Sequence, residues 1–347
     1  MIVKSIAFTA FRNFSHNEFI FDKDLTIIIG ANARGKTNLL EGMYVAVRGT
    51  GFRESKEEEL MQWQQTSSIV ETRWAEKAGT TLFTVAFHRR GESVEKSYLI
   101  NKTKKNHVVY QQYQSKAVLF APQHIDIVTG SPDLRREYFN KVIFSYDPEY
   151  KKSVQNYEHA LYKRNKVLEH HKNEDTLQEE LLFWDEYLEK QAEYITQKRG
   201  EYIGYLNKHP QVEEKTFRIE YLKNELTQER LRAIYAQERR MRRTLIGPQK
   251  DDFHIFLSNK PEKNIHHFGS RSEQRLGVFW LKLNEINFYQ QQFKIKPVLL
   301  LDDIFSELDV KNKKLVLDLI GNYQTIFTTT EKDLLTLAPS HKSIIQL

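Results

Sequence analysis

Leu25 to Ile29 is an unbroken apolar, β-branched run. It stops at Gly30-Ala31-Asn32-Ala33-Arg34-Gly35-Lys36-Thr37, after which Asn38-Leu39-Leu40-Glu41-Gly42-Met43 resumes with apolar residues at helical spacing. A strand that ends on a glycine-flanked loop and continues as a helix admits few folds, and this loop fits G-x-x-x-x-G-K-[ST] without a mismatch. Backbone N–H groups of residues 30–37 and the positive end of the helix would cradle phosphates. Lys36 would reach the β- and γ-phosphates, and the Thr37 hydroxyl would ligate magnesium. The pattern predicts an α/β sheet with a nucleotide at its carboxyl edge.

The loop has a distant counterpart in Pro297-Val298-Leu299-Leu300-Leu301-Asp302-Asp303-Ile304-Phe305-Ser306-Glu307-Leu308-Asp309. The continuous apolar stretch Val298 to Leu301 suits a parallel strand covered on both faces. Two adjacent carboxylates at its carboxyl end repel one another and lose solvation unless a cation or a water-activating task holds them there. Asp302 is the expected second magnesium partner, bonding Thr37 or a metal-bound water, and Asp303 is placed to polarise the attacking water. The stretch Ser306 to Asp309 follows at once, in a position suited to touching another nucleotide site. Ser270-Arg271-Ser272-Glu273-Gln274-Arg275 opens a predicted helix, whose N-terminus would make a γ-phosphate clamp. The Gly30 to Thr37 loop already wraps the phosphate of its own subunit, so this clamp is expected to act in trans, with ATP sandwiched in a dimer.

At 347 residues the chain can hold a large domain and a second lobe; its net charge of +6 favours acidic partners such as nucleic acid. The absence of cysteine excludes disulfides and thiolate zinc sites and is simplest in a reducing cytoplasm. No apolar run approaches a membrane span, so no membrane association is expected. Ile2 to Phe14 and Asn17 to Phe21 read as a hairpin closed near Ser15-His16. Ser55 and Glu58 form a capping-box pattern for a short helix through Trp63. Short β-branched and aromatic runs at 68–74, 81–87, 94–100 and 108–110 predict a meander. From Asp133 to about Leu245 the pattern is largely helical. Two charge runs fall there, Lys163-Arg164-Asn165-Lys166 and Arg239-Arg240-Met241-Arg242-Arg243. Each alone suits a solvated helix face; two on one lobe keep a DNA-tracking surface open, with Arg239, Arg240, Arg242 and Arg243 as the candidate contacts.

Together these stretches resemble the ATP-binding-cassette heads of the SMC-like ATPases of bacterial recombinational DNA repair. The resemblance spans nearly the whole chain. It includes Phe11-Arg12-Asn13-Phe14, the loop through Asn38, Glu57 to Leu60 ahead of Trp63, Phe120-Ala121-Pro122 and Gly130-Ser131-Pro132 with Arg135-Arg136. Gly247-Pro248-Gln249-Lys250-Asp251-Asp252, Phe268-Gly269-Ser270 and Leu299 to Asp309 complete it. It implies an α/β fold: an ABC-type head with a mixed sheet, the phosphate loop and an antiparallel meander, over residues 1–130 and 246–347. An α-helical lobe at 131–245 would be inserted into that head.

The resemblance further implies a slow, Mg2+-dependent ATPase acting as a timer. ATP would close two heads into a homodimer on duplex DNA or single-strand/double-strand junctions during replication-gap repair, with a RecR-type mediator as protein partner. Residue by residue, it implies nucleotide contacts from Arg12 and Asn13 and γ-phosphate contacts in trans from Ser270 and Ser272, beside Glu273. It also implies a magnesium-sensing loop glutamine at Gln123, a second-site loop with Ser306 and Asp309, and a switch position at Thr329. Arg53 matches an arginine of the family. The chain departs from the pattern at Ser272, where the family has glycine, at Gln249-Lys250 in place of His-Arg, and at Gly51-Phe52 in place of Ser-His. A different class remains open: a nucleotide-gated module whose main ligand is another protein. A transporter subunit would share the head but not the helical insert.

Overall fold

The computed structural model describes residues 1–53, 56–76, 79–113, 116–170, 174–258, 261–307, 310–330 and 342–347. The chain divides into two compact units, one of Met1–His124 with Glu285–Leu347 and one of Ile125–Asn284.

The first unit opens with β1 (Ile2–Phe11), β2 (Phe14–Ile20) and β3 (Leu25–Ile29), followed by α1 (Lys36–Arg48). Next come β4 (Ser67–Glu76), β5 (Gly79–Arg90), β6 (Ser93–Ile100), β7 (Thr103–Lys105), α2 (His107–Tyr113) and β8 (Ala117–Phe120). One sheet is antiparallel, in the order β2-β1-β4-β5-β6-β7. The second sheet is wholly parallel and is completed by β13 (Val298–Asp302), β14 (Thr325–Thr329) and β15 (Ser343–Gln346), in the order β15-β3-β14-β13-β8. The expected phosphate-loop sheet and meander are thus both present, as separate sheets. α10 (Val310–Ile320) leads from β13 toward β14.

One core takes in side chains from both sheets and from α1, including Phe8, Phe11, Leu39, Leu40, Met43, Trp74, Phe83, Leu119, Leu300 and Ile326. Burial explains why α1 is apolar on nearly every side. Gly42 is required here because a Cβ would stand 2.2 Å from the Phe8 ring. The buried amide of Gln324 ties the start of β1 to the parallel sheet: it accepts from Val3 N at 2.9 Å and donates to Val3 O and Asp22 O at 2.8 Å.

The second unit holds α3 (Asp126–Thr129), α4 (Pro132–Phe144), α5 (Pro148–His170) and α6 (Glu174–Lys208), then β9 (Gln211–Val212), β10 (Lys215–Leu222) and α7 (Gln228–Met241). β11 (Asp252–Leu257), β12 (Lys263–Asn264) and α8 (Ile265–Phe268) follow, and α9 (Arg271–Phe293) carries the chain back to the first unit. Its sheet is β12-β11-β10-β9.

Four local expectations differ from the structure. The first hairpin closes at Arg12-Asn13, because Phe11 pairs with Phe14 and Arg12 adopts φ 49; Ser15 and His16 lie inside β2. Residues 108–110 are helical rather than extended, since Asn106 Oδ1 caps α2 by accepting from Val109 N at 2.8 Å. The turn before Trp63 is a short 3-10 segment, Glu57–Leu60, and Ser55 lies outside the described residues. The second lobe is not purely helical and does not end at residue 245. β10 pairs with β11 from Phe217↔Leu257 to Leu222↔Asp252, so residues 246–284 belong to the second unit, which begins at Ile125. Among the described residues no helix is long and apolar enough to cross a membrane.

Candidate nucleotide site

In the parallel sheet the carboxyl ends of β3, β14, β13 and β8 meet at one edge, because Ile28 pairs with Thr328, Thr328 with Asp302, and Leu301 with Phe120. The loop of residues 30–37 leaves β3 at that edge. Ala33 (φ 65) and Gly35 (φ 105) take left-handed conformations, the kind of backbone from which anion-binding nests of N–H groups are built. Gly35 has a second reason to be glycine: a Cβ would meet Asn13 Nδ2 at 2.6 Å. Ala31, Asn32, Ala33 and Arg34 are exposed, while Lys36 is buried and donates from Nζ to Gly30 O at 2.7 Å and Ala31 O at 3.1 Å. The ammonium is therefore held at the mouth of the loop.

Thr37 Oγ1 donates to Asp302 Oδ1 at 2.9 Å, and Thr328 Oγ1 donates to the same oxygen at 2.9 Å. Burial pushes the Asp302 carboxyl above its ordinary value, although the Thr328 and Thr37 hydroxyls and the Arg53 charge work the other way. Asp302 has no cationic side chain within ion-pair distance among the described residues, and no cluster of three acidic or imidazole groups there could cage a metal. A buried carboxylate beside a threonine hydroxyl is a hard-oxygen pair. It fits Mg2+, which keeps waters and substrate phosphates in most of its octahedral positions. Asp303, half-buried at φ 46, donates from its N–H to Thr328 Oγ1 at 3.0 Å. Gln123 is exposed in the turn Pro122–Ile125 just after β8, at the same edge. Thr329 is buried at the end of β14. Ser306 lies in the turn Ile304–Glu307, and Asp309 falls outside the described residues.

Behind the loop, Arg12 Nε and Arg53 Nη2 each donate to Oε2 of the fully buried Glu41 at 2.8 Å. Arg53 Nη2 also donates to Asn38 Oδ1 at 2.7 Å, Asn38 Nδ2 to Asn13 Oδ1 at 2.7 Å, and Asn13 Nδ2 to Arg34 O at 3.3 Å. Asn13, Asn38 and Arg53, from three separate stretches of sequence, thus meet beside the loop, and Arg12 joins them through Glu41. Sequence reasoning missed Glu41 and Thr328; only the strand register puts Thr328 between the loop strand and Asp302.

In the second unit, Ser270 and Glu273 form a reciprocal capping box: Ser270 N donates to Glu273 Oε2 at 2.8 Å and Glu273 N to Ser270 Oγ at 3.3 Å. Burial opposes the Glu273 charge, but Lys263 and the Ser270 amide bring its carboxyl below the ordinary value. Ser270 and Ser272 are exposed at the start of α9. The two basic runs also meet in this unit. Asn165 Oδ1 accepts from Thr244 N and Oγ1 at 2.7 and 2.8 Å, and buried Arg164 bonds Glu238 at 2.7 Å and Asp185 at 2.5 Å. Arg164 is thereby structural, whereas Lys163, Lys166, Arg240, Arg242 and Arg243 are exposed and Arg239 is half-buried. The Gly247 to Asp252 stretch is likewise a packing device. Asp251 accepts from Arg199 Nη1 at 2.7 Å, Tyr221 OH at 2.5 Å and Asn224 N at 2.8 Å, and Asp252 takes Arg135 at 2.6 and 3.0 Å. Gln249, at a departure from the family pattern, accepts from the Tyr157 hydroxyl.

A parallel sheet with this loop, an acid-ended strand two places away, an antiparallel partner sheet and a long insertion defines an SMC-type P-loop ATPase head. The chain belongs to the RecF/RecN/SMC family, and within it to RecF: the RecF/RecN/SMC N terminal domain model matches residues 2–346. The DNA replication and repair protein RecF of Exiguobacterium sp. is 32% identical over 357 aligned residues, covering 96% of this chain and 93% of that protein. That of Natranaerobius thermophilus is 30% identical over 350, covering 93% and 89%. Among solved structures, the recombination mediator protein RecF with ATP superposes with a TM-score of 0.83 at 26% identity, covering 95% of this chain and 92% of that one. The Smc head domain of Pyrococcus furiosus, 17% identical with a TM-score of 0.53, shares the fold alone.

Proposed function

We propose that this chain is an ATP-dependent DNA-binding protein of recombinational repair and replication-gap processing, in which ATP binding joins two heads on DNA and slow hydrolysis parts them. The observation that carries the reading is the bond from Thr37 to Asp302, which joins the phosphate loop to the acid-ended strand. The loop N–H groups and Lys36 would hold the phosphates, and the Thr37 and Asp302 oxygens would hold Mg2+. ATP and Mg2+ supply a polyanion with a scissile phosphoanhydride bond. Asp303, with Gln123 at the same edge, would orient the attacking water; a carboxylate one methylene shorter than glutamate suits slow turnover. Ser270 and Ser272 would contact the γ-phosphate of a second copy, with Ser306 and Asp309 beside it and Thr329 at the switch position. The named relatives act in replication and repair, and RecF with ATP was solved in the context of the RecFOR pathway. Both support duplex DNA or a single-strand/double-strand junction as ligand and a RecR-type mediator as partner. The exposed arginines at the end of α7, beside Lys163 and Lys166, are the proposed DNA contacts.

A second reading, a nucleotide-gated module whose main ligand is another protein, draws on the exposed apolar side chains Leu182, Phe183 and Tyr187 of α6. Mass in solution with and without ATP and Mg2+, with gapped duplex DNA as competitor, separates the two. The first reading expects a dimer only with ATP and tighter DNA binding in that state. Unchanged mass and unchanged DNA affinity would sink it.

A further inference from the structure

Glu41 is the one acid on α1 and lies in the second turn after Lys36, with its side chain fully buried. A carboxylate taken out of water is costly unless it is paired and hydrogen-bonded. This one is paired twice: Arg12 from the β1–β2 turn and Arg53 from the segment after α1 share its Oε2 at 2.8 Å, and the Arg53 backbone N–H donates to Oε1 at 3.3 Å. Two guanidinium groups on one carboxylate leave a net positive charge beside the loop. The carboxylate also fixes where that charge sits.

The bonds that continue from Arg53 run in one direction. Arg53 uses Nη2 for both Glu41 and Asn38 Oδ1, so the Asn38 amide must turn its nitrogen toward Asn13 Oδ1. The Asn13 amide must in turn point its nitrogen at the Arg34 carbonyl, next to Gly35. Each acceptance sets the next donation, so the chain has a single register. It ends on the backbone of the G-x-x-x-x-G-K-[ST] loop.

We infer that Glu41 is a positioning residue for the nucleotide site. Through Arg53, Asn38 and Asn13 it fixes the Arg34–Gly35 peptide of the phosphate loop, and through Arg12 it holds a second cation beside Arg53 on the same carboxylate oxygen. It touches no phosphate itself. The inference rests on the nucleotide reading of that loop, and it goes beyond it by assigning the loop's shape to a buried acid on the opposite side.

The test measures ATP affinity and the thermal midpoint for Glu41→Gln, Asn38→Ala, their combination, and Lys36→Ala. Asn38→Ala cuts the relay without disturbing the buried acid, so it keeps the test alive if Glu41→Gln fails to fold. Glu41→Gln and Asn38→Ala are each expected to weaken ATP binding roughly tenfold, the scale of one or two charge-assisted hydrogen bonds, and Lys36→Ala to abolish it. The double variant should lose little more than either single, because both act through one chain. A purely structural Glu41 would lower the midpoint while the two losses in affinity multiplied, and that result overturns the inference. ATP binding at parental strength by Asn38→Ala also overturns it. If Lys36→Ala abolishes ATP binding while the relay variants do not weaken it, only the relay fails; if Lys36→Ala binds ATP normally, the nucleotide reading fails and the inference with it.

Discussion

Thr37 donates from Oγ1 to Asp302 Oδ1 at 2.9 Å, across a separation of 265 residues. The bond depends on β14, which lies between β3 and β13 and supplies Thr328 as a second donor to the same oxygen. Two neutral hydroxyls orient the carboxylate, and among the described residues no cationic side chain stands within ion-pair distance of it. Orientation without neutralisation is what a divalent-cation site requires before its ligand arrives.

Asp302→Asn keeps an oxygen that can accept from Thr37 and Thr328 but removes the charge. Folding should be nearly unaffected, while ATP hydrolysis falls by about 100-fold and the Mg2+ concentration for half-maximal activity rises. Steady-state ATPase rates across a magnesium titration, with a thermal melt as the folding control, check this. An unchanged magnesium dependence would remove Asp302 from the metal site.

Asp251 is fully buried and accepts from Arg199, Tyr221 and the Asn224 backbone. Asp251→Asn strands the Arg199 guanidinium in the interior, and breaking such a pair from one side costs about 3–5 kcal/mol. Denaturant unfolding followed by near-ultraviolet circular dichroism should show the loss. Replacing both partners, as in Asp251→Leu with Arg199→Met, should recover part of it.

The candidate nucleotide site is legible in the sequence where its parts are local. Residues 25–43 fix a strand, a loop and a helix within one stretch, and Val298 to Leu301 can only be a covered strand. What could not be read depends on partners far away in the chain. β10 alternates apolar and polar residues weakly inside a Glu- and Lys-rich stretch, and it is extended because β11 pairs with it. Residues 108–110 have β-branched character, yet the Asn106 cap makes them helical. Glu41 reads as an ordinary helical acid until Arg12 and Arg53 arrive from either side of α1. Gly247 to Asp252 was legible as a motif but not as the anchor of two buried arginines.

Lys116 is buried over the Phe293 ring at 4.5 Å and donates to Gln111 O at 3.1 Å. Burial, with repulsion from Arg48, lowers its pKa from 10.5 to about 8. Between those values the folded chain binds fewer protons than the unfolded one, so stability rises with pH across that window and the full penalty applies below about 8. Lys116→Met keeps the volume and removes the penalty. After the lost contacts are set against it, the gain at neutral pH should be about 1–2 kcal/mol. Thermal melts of parent and variant should differ most at pH 7 and converge toward pH 10.5; a constant difference across that range would contradict the assignment.

Lys163 and Lys166 on α5, Arg240 in the last turn of α7 and Arg242 and Arg243 just after it are exposed, and the buried Arg164 with Asn165 locks the two segments side by side. Phosphate contacts release counterions, so each removed contact should lower the slope of log affinity against log salt by about 0.9 for duplex DNA. Changing Arg240, Arg242 and Arg243 to Glu should therefore weaken duplex binding by at least 10-fold at low salt, by roughly equal factors for different sequences, and flatten the salt dependence. These side chains lie outside the nucleotide site, so ATP binding without DNA should match the parent. Fluorescence anisotropy with labelled duplexes between about 50 and 200 mM salt reads both quantities. A triple variant with parental DNA affinity and slope would move the DNA surface elsewhere and favour a protein ligand for this lobe.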